Sequence, residues 1–387
     1  KDEIVQGLEK NIETLRKLQA IGYQFVSSND MIYNTLSVMY KPEVKEEAKA
    51  MWESLLDTVA FSKPLFFTNH YTGGNEIFVQ DMNYNLYLIN AAGRILWKRP
   101  SGEAIRGSAY VVDYYRNGKL QILFATRNHL HLLDRNGNYV ERYPVQLRSP
   151  ATNGLALFDY ENNMDYRLFI CGEDRKVYAY DKTGSTVRGW NQFRTTGTVS
   201  NEVEFFRVSG KDYLVVNDEN NMYILNRRGN VRVEMNEQVS RSVNSMMRLS
   251  TGTSPEMVFA SKEGRIKMVS FNGEVRTYEV DEFAENPVFE YFDLDADGLG
   301  EYIYIDGNEV HAYDDDRKKM FSLSMSSDNI MGPYGLVFSS NDKKVGFVDA
   351  GSNEVHVINE RGRNLKGFPL PGTTAFSVGK LGRGNSY

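Results

Sequence analysis

The residues most able to do chemistry are grouped in one short segment, Asp293-Leu-Asp-Ala-Asp-Gly-Leu-Gly-Glu301. Its aspartates alternate, so their carboxylates can converge, and the glycine at the sixth position allows a sharp turn. Calcium takes about six to eight oxygen ligands in a flexible cage. We therefore predict a site for Ca²⁺ or a similar hard cation, with a structural role; a solvated acidic turn is the alternative. The predicted ligands are Asp293, Asp295, Asp297, Leu299 through its carbonyl, and Glu301.

The five histidines are a second candidate for metal binding or acid–base chemistry. However, His131, His311 and His356 occupy a position of the repeat described below that is tyrosine in other copies. We interpret them as strand residues. The chain has no Gly-x-Ser-x-Gly, Walker, His-Glu-x-x-His or paired-cysteine motif. We therefore predict neither catalytic nor cofactor-binding residues, and we expect the single cysteine, Cys171, to be a buried apolar residue.

These residues are positioned by a repeat, which is clearest in the segment from Asn85 to Trp97. Alternating apolar residues predict a strand, the turn contains Gly93, and Ile95 begins a return strand. Six further copies follow at steps of 44 to 47 residues, and each is preceded by another short apolar strand. The first apolar residues of the copies are Leu86, Leu130, Val177, Met222, Ile266, Val310 and Val355. The turn glycine is kept in every copy except the sixth, which has Arg317.

A fixed period of this size, built from short strands and turns, predicts an all-β fold, a β-propeller of four-stranded blades. Seven full repeats occupy about residues 62–371. Residues 373–379 repeat the inner-strand pattern once more, and Trp52 lies one repeat length before Trp97. We predict eight blades, the eighth formed by residues 23–57 and 373–387, with seven blades as the alternative.

The N-terminal residues carry a different pattern. Apolar residues at spacings of three and four predict a helix over residues 2–19, so that 1–22 is a helix or the stub of an upstream domain. Residues 23–26 and 31–40 predict a hairpin around a polar turn. The propeller is accordingly predicted to span 23–387. The chain starts without methionine, so we also expect that a leader or upstream domain precedes it.

Composition narrows the class of partner. The 387 residues are 41% hydrophobic and 25% charged, which is typical of a globular protein. The net charge is −6, with lysine and arginine spread along the chain, which argues against a nucleic-acid groove. No apolar run is long enough for a transmembrane segment.

The repeat from Val177 to Trp190 resembles those of PQQ-like propellers, and the loop from Asp293 to Glu301 resembles the calcium loop of FG-GAP propellers. The chain also resembles the C-terminal propeller of large uncharacterised envelope proteins of Gram-negative bacteria. These resemblances imply a propeller fold and an extracytoplasmic (periplasmic or envelope-associated) location. PQQ-like propellers include both quinoprotein dehydrogenases and non-enzymatic scaffolds.

We expect a non-catalytic binding scaffold that presents its loops to a protein or polymer partner. The alternative is an enzyme with a site in the central channel, acting on polysaccharide or as a quinoprotein dehydrogenase.

Overall fold

A computed structural model describes residues 18–28, 31–40 and 51–380. These residues fall into two compact units, with the boundary between Lys49 and Ala50. The first unit contains an antiparallel hairpin of β1 (Leu18–Ser28) and β2 (Met31–Tyr40). The predicted hairpin is confirmed. The helix predicted over residues 2–19 lies outside the described residues up to residue 17. Only its last two positions are described, and there the chain already belongs to β1, whose ladder with β2 runs from Ser28 to Leu18.

The second unit is a seven-bladed β-propeller, formed by seven antiparallel sheets in chain order. Blade 1 contains β3 (Leu65–Thr68), β4 (Asn75–Gln80), β5 (Asn85–Ile89) and β6 (Ile95–Pro100); blade 2 contains β7 (Arg106–Val112), β8 (Gln121–Ala125), β9 (His129–Asp134) and β10 (Val145–Gln146). Blade 3 contains β11 (Ala156–Phe158), β12 (Arg167–Cys171) and β13 (Val177–Asp181). Blade 4 contains β14 (Glu204–Val208), β15 (Lys211–Asn217), β16 (Met222–Leu225) and β17 (Val231–Val233). Blade 5 contains β18 (Arg248–Leu249), β19 (Met257–Ala260), β20 (Ile266–Val269) and β21 (Val275–Tyr278). Blade 6 contains β22 (Val288–Phe292), β23 (Glu301–Asp306), β24 (Glu309–Tyr313) and β25 (Lys319–Ser324); blade 7 contains β26 (Ile330–Ser339), β27 (Asp342–Asp349), β28 (Glu354–Ile358) and β29 (Leu370–Pro371).

Burial explains why the repeat is so regular. Second strands such as β8 and β12 are buried on both faces, because each blade is packed between two others. Outer strands such as β6 alternate between half-buried and exposed residues. In blade 3 the outer position holds no strand. It is filled by a segment that makes only single bridges, Tyr180 with Thr186 and Lys176 with Arg194.

Trp97 and Trp190 join neighbouring blades, and Trp52 joins the segment before blade 1 to that blade. Each indole lies against the turn glycine one repeat further along, so close that a Cβ on the glycine would come within 2.7–3.1 Å of the ring. The pairs are Trp52 with Gly93, Trp97 with Gly137, and Trp190 with Gly229. These glycines also have φ near +80°, which favours glycine for a second reason. In the sixth copy Arg317 keeps a φ of 66°, and its guanidinium lies 4.3 Å from the centre of the Tyr278 ring.

The prediction of eight blades is wrong, and the seven-blade alternative is confirmed. Residues 51–57 and 373–380, which the repeat pattern assigned to the closing blade, form no strand. Instead, the C-terminal segment fits between blades 7 and 1. Phe376 packs against Tyr334 at 5.5 Å between ring centres, and the Ser377 hydroxyl donates to the Pro64 carbonyl at 2.6 Å. This segment closes the ring without forming a sheet.

The meander order of the strands divides the loops between two faces. We call the side formed by the second-to-third turns and the connectors between blades the connector face; in blade 1 it includes residues 81–84 and 101–105. The opposite side, formed by the first-to-second and third-to-fourth turns, is the turn face; in blade 1 it includes residues 69–74 and 90–94.

Candidate functional site

The acidic loop connects β22 and β23 and lies on the turn face of blade 6. The carboxylates of Asp293, Asp295 and Asp297 each place an oxygen within 4.8 Å of the others. The backbone supports this arrangement, because Ala296 and Gly298 both have positive φ and the Leu299 amide donates to Asp297 at 2.7 Å. Three of the predicted ligands are therefore brought together by the loop.

The other groups near the loop have different roles in this conformation. The Glu301 side chain is buried, and it accepts a hydrogen bond from the Leu294 amide. Lys343 of blade 7 forms an ion pair with Asp293. Burial, with the negative charges of Asp295 and Asp293, raises the pKa of Glu301 to about 7, and burial together with Asp297 raises the pKa of Asp295. The oxygen donors suit a hard cation, which would relieve this repulsion.

His131, His311 and His356 lie in three different blades, blades 2, 6 and 7. His131 stacks on Phe124 and shares hydrogen bonds with Thr126 and Tyr139. His311 pairs with Ser322, and His356 with Asn364. Burial lowers the pKa of His131 to about 4. Each ring therefore bonds within its own blade, as expected for strand residues.

In other repeats a tyrosine occupies the position of these histidines, and its hydroxyl bonds to an aspartate in the turn after the second strand of its blade. The hydroxyl of Tyr87 donates to Asp81 at 2.8 Å, and the hydroxyl of Tyr223 donates to Asp218 at the same distance. Cys171 is also structural: it is 1% exposed in the core, where burial raises the pKa of its thiol.

Sequence reasoning missed a set of charged residues in the inner strands of blades 4 to 6 or in the connectors that lead into them, which we call the channel cluster: Glu202, Glu204, Arg241, Arg248 and Glu290. The Arg241 side chain is 3% exposed and lies 3.2 Å from Glu204. Arg248 donates twice to the buried Glu290, at 2.7 and 3.1 Å. These pairs link blade 4 to blade 5 and blade 5 to blade 6. Because the two partners come from different repeats, each pair joins neighbouring blades.

Glu202 differs from the other members, because its carboxyl lies against bare backbone. A Cβ added to either Gly107 or Gly154 would come within 2.2 Å of its Oε1. Burial raises the pKa of Glu202 to about 7, the charge of Glu204 adds to the shift, and Arg241 opposes it. Glu202 therefore changes charge near neutral pH, at the boundary of blades 2, 3 and 4.

We expect this carboxyl to make stability fall as pH rises. Its folded pKa lies above the ordinary value of 4.5, so the folded protein binds the proton more strongly, and stability declines between about pH 4.5 and pH 7. A shift of this size corresponds to at most about 3 kcal/mol. Glu202→Gln should raise the melting temperature at pH 8 and leave it nearly unchanged at pH 5. Glu282→Gln, at an exposed carboxyl, is the control. An equal shift at both pH values would contradict this assignment.

A cleft of about 610 Å³ opens on the connector face at blades 1 to 3. Its walls include Phe61 and Tyr84, which are 47% and 40% exposed. Gly107 and Gly154, which lie against the Glu202 carboxyl, also line it. Arg106 also lines the cleft, and no carboxylate in the described part of the chain pairs with it. Beside Phe61, Val59 and Met82 are exposed on adjoining backbone, joined by a bond from the Met82 amide to the Val59 carbonyl at 3.0 Å.

One signal could have located the channel cluster. Glu204 and Arg248 occupy the same position in consecutive repeats, where a charge replaces an inner-strand residue. Glu202 and the cleft have no such signal, because the cleft is formed by loops from three blades.

No protein-family model and no curated protein matches this chain. Among the described segments, none forms a helix long and apolar enough to cross a bilayer.

Solved structures do match. BamB from Moraxella catarrhalis is 13% identical with a TM-score of 0.53, and the match covers 82% of this chain and 91% of BamB. BBS1N in complex with ARL6DN is 16% identical with a TM-score of 0.50, covering 73% and 87%. The computationally designed Ika8 protein is 13% identical with a TM-score of 0.54, covering 84% and 92%. At these identities the likeness concerns the fold alone, and it identifies the chain as a β-propeller repeat protein.

Proposed function

We propose that this propeller is a non-catalytic scaffold of the bacterial envelope, which binds a protein partner through its connector face. The observation that carries the proposal is the cleft, where Phe61 and Tyr84 are exposed beside Arg106 on rigid sheets. Aromatic residues and arginine are enriched among residues that contribute most to protein–protein binding. The apolar residues Val59 and Met82 extend this surface beyond the cleft.

Two further arguments support a protein partner. The ion pairs of Arg241 with Glu204 and of Arg248 with Glu290 join neighbouring blades, so these charged groups are already paired within the protein, which favours a scaffold over a central-channel enzyme. Of the similar structures, BBS1N was solved in complex with ARL6DN. The unpaired Arg106 favours a partner segment that carries a carboxylate, and an acidic polymer is the second class of ligand with this chemistry. The extracytoplasmic location follows from the sequence resemblances and is part of the proposal.

The scaffold proposal is tested by photocrosslinking in the native envelope. A photoreactive amino acid at Phe61 or Tyr84 should yield the same single crosslinked protein, and the same residue at Leu96, exposed on the outer strand, should not. The captured protein, once purified, should bind the propeller, and Tyr84→Ser with Arg106→Ala should weaken binding at least about tenfold. Identical products from all three positions, or none, would argue against a connector-face partner.

We also propose that the acidic loop binds one structural Ca²⁺. Asp293, Asp295 and Asp297 would hold it, with the Leu299 carbonyl. Glu301 and the Lys343 ammonium adjust as the cation enters, because Lys343 pairs with Asp293 in the present conformation.

Calcium should therefore stabilise the propeller. A concentration a hundredfold above the dissociation constant adds about 2.7 kcal/mol to the free energy of unfolding. We expect a chelator to lower the melting temperature of the wild type and to have no effect on Asp295→Ala. Asp315→Ala, which removes an exposed carboxylate of the same blade, should keep the chelator response. If the chelator has no effect on the wild type, the loop is a solvated acidic turn.

An enzyme of the central channel is the second candidate, and Glu202 is the observation that favours it. A carboxyl with a pKa near 7, next to a cleft, is suited to general acid catalysis on a polysaccharide. Glycan turnover that is lost in Glu202→Gln would decide for this function over the scaffold.

A further inference from the structure

Asp293 differs from the aspartates at the same position in two other blades. Asp113 in blade 2 and Asp159 in blade 3 also follow directly after the last residue of the first strand. Each of these two carboxylates accepts the backbone amides of the fourth and fifth residues after it, at 2.7–3.1 Å. Both oxygens of each carboxylate therefore have a partner within the same turn.

Within its own turn, all of which is described, the Asp293 carboxylate accepts no backbone amide. The amide of Asp297, the fourth residue after it, donates to Asp295 at 3.1 Å. Asp293 Oδ1 is buried and has no hydrogen-bond partner among the described residues, and Asp293 Oδ2 pairs with Lys343. A buried carboxylate oxygen without a partner costs free energy, and a cation held between Asp293, Asp295 and Asp297 would remove that cost.

Lys343 reaches this carboxylate from blade 7. The ion pair is largely buried, because the side chains of Lys343 and Asp293 are 17% and 19% exposed. β28 pairs with β27 only from Val345 onward, so at Lys343 the strand β27 has a hydrogen-bonded neighbour on one side, which is β26. The ion pair therefore joins the end of the β26–β27 hairpin to the acidic loop of blade 6.

We propose that Lys343 competes with the cation for Asp293, so that Ca²⁺ binding at the acidic loop displaces the Lys343 ammonium and frees the end of the β26–β27 hairpin. This inference rests on the calcium site proposed above and names the residue that sets its affinity. The two cations would share one carboxylate and repel each other there. Ca²⁺ carries twice the charge of the ammonium and also takes oxygens from Asp295 and Asp297, so at sufficient concentration it replaces the ammonium.

This competition lowers the affinity of the loop for the cation. The apparent affinity of a ligand is reduced by the fraction of protein that is in the binding-competent state, and the ion pair holds Asp293 in the other state. Among the described residues, Lys343 is the only lysine or arginine that pairs with a carboxylate of the loop. Lys343 therefore stabilises the cation-free protein, and the loop fills only when the Ca²⁺ concentration is high enough to break the pair.

Calorimetric titration of the chelator-treated chain with Ca²⁺ tests the proposal. Lys343→Met should bind Ca²⁺ at least about tenfold more tightly than the wild type, because no ion pair has to be broken. The matched control is Lys344→Met, which removes the same charge from the next residue, whose ion pair is with Asp342 and not with the loop. It should bind Ca²⁺ like the wild type.

The titration separates the two proposals. If Lys343→Met binds Ca²⁺ no more tightly than the wild type, the competition is overturned and the calcium site stands. If neither protein binds Ca²⁺ at millimolar concentration, the calcium site itself is overturned, and the competition with it.

Hydrogen–deuterium exchange of the wild type gives a second readout that needs no substitution. Ca²⁺ should slow exchange in residues 293–301 and speed it in residues 338–344, because the hairpin loses its side-chain link to blade 6. In Lys343→Met, exchange in residues 338–344 should be fast with and without Ca²⁺. Slower or unchanged exchange in residues 338–344 of the wild type, together with a protected loop, would contradict the displacement of Lys343.

Discussion

Replacing Leu86 by aspartate is expected to abolish folding of the propeller. Leu86 is fully buried in β5, in a cluster that joins blade 1 to Ile122 and Phe124 of blade 2. Truncation to alanine at such a site costs about 2–5 kcal/mol through lost burial and the cavity that remains. Aspartate adds the cost of placing an unpaired carboxylate among apolar side chains. We therefore expect Leu86→Asp to be recovered only as insoluble or unfolded protein, and Leu86→Ala to fold with a lower melting temperature.

Leu96 provides the matched control, because the same substitution there adds a charge at a partly exposed position of β6. Leu96→Asp should change the free energy of unfolding by less than about 1 kcal/mol. A soluble Leu86→Asp protein that melts like the wild type would show that this column of the repeat is not the core between blades.

The second large loss of stability is expected on substitution of Arg135, which links blade 2 to blade 1 through an ion pair with Glu76. Its guanidinium pairs with Glu76 through both carboxylate oxygens, with a distance of 2.9 Å between Nε and Oε2. The Glu76 side chain is 4% exposed and also accepts from Asn69 at 2.9 Å. Arg135→Ala leaves this carboxylate buried without its counter-charge, which costs about 3–5 kcal/mol. Urea unfolding should therefore show a midpoint clearly below that of the wild type.

Arg127 provides the control, because it also forms an arginine–glutamate ion pair, but one that is exposed to solvent. Its ion pair with Glu173, at 2.6 Å, joins side chains that are 55% and 48% exposed. Arg127→Ala should cost less than about 1 kcal/mol. Adding Glu76→Gln to Arg135→Ala should recover part of the loss, because the remaining buried group is then neutral. If the two arginine substitutions lowered the free energy of unfolding equally, the buried ion pair of Arg135 with Glu76 would not be the stabilising contact described here.

The repeat could be predicted because its signal is local. The second strands of the blades are largely buried, and so are most residues of the third strands, so positions such as those of Leu86 and Ile122 are apolar along the repeat. The turn glycines could also be predicted from the sequence. The sixth repeat has Arg317 in place of glycine; its backbone is strained by the positive φ, and the contact of its guanidinium with the Tyr278 ring partly offsets that cost.

The number of blades could not be predicted, because it depends on contacts between the ends of the ring. Residues 373–379 have the sequence pattern of an inner strand, yet they bond to Pro64 and pack on Tyr334 without strand pairing. The sequence pattern does not distinguish the two arrangements, because residues 374–377 are half-buried here and most residues of the inner strand β14 are half-buried as well.

In the candidate site, too, the features within one segment could be predicted from the sequence, and those formed between blades could not. The acidic loop is continuous in sequence, so its proposed ligands could be named from the sequence, and the structure brings three of their carboxylates together. The ion pair of Lys343 with Asp293 could not be foreseen, because it joins blades 6 and 7. Glu202 lies over glycines of two other blades, and only the closed ring shows that its carboxyl is buried there.

We propose that the propeller binds its partner through loops on the connector face. The most direct measurement is hydrogen–deuterium exchange of the propeller with and without the partner captured at Tyr84. We expect slower exchange in residues 81–84, 101–107 and 127–128, and unchanged exchange in the strands of blades 4 to 6. Slower exchange confined to the turn face, or no change at residues 81–84 and 101–107, would contradict the claim.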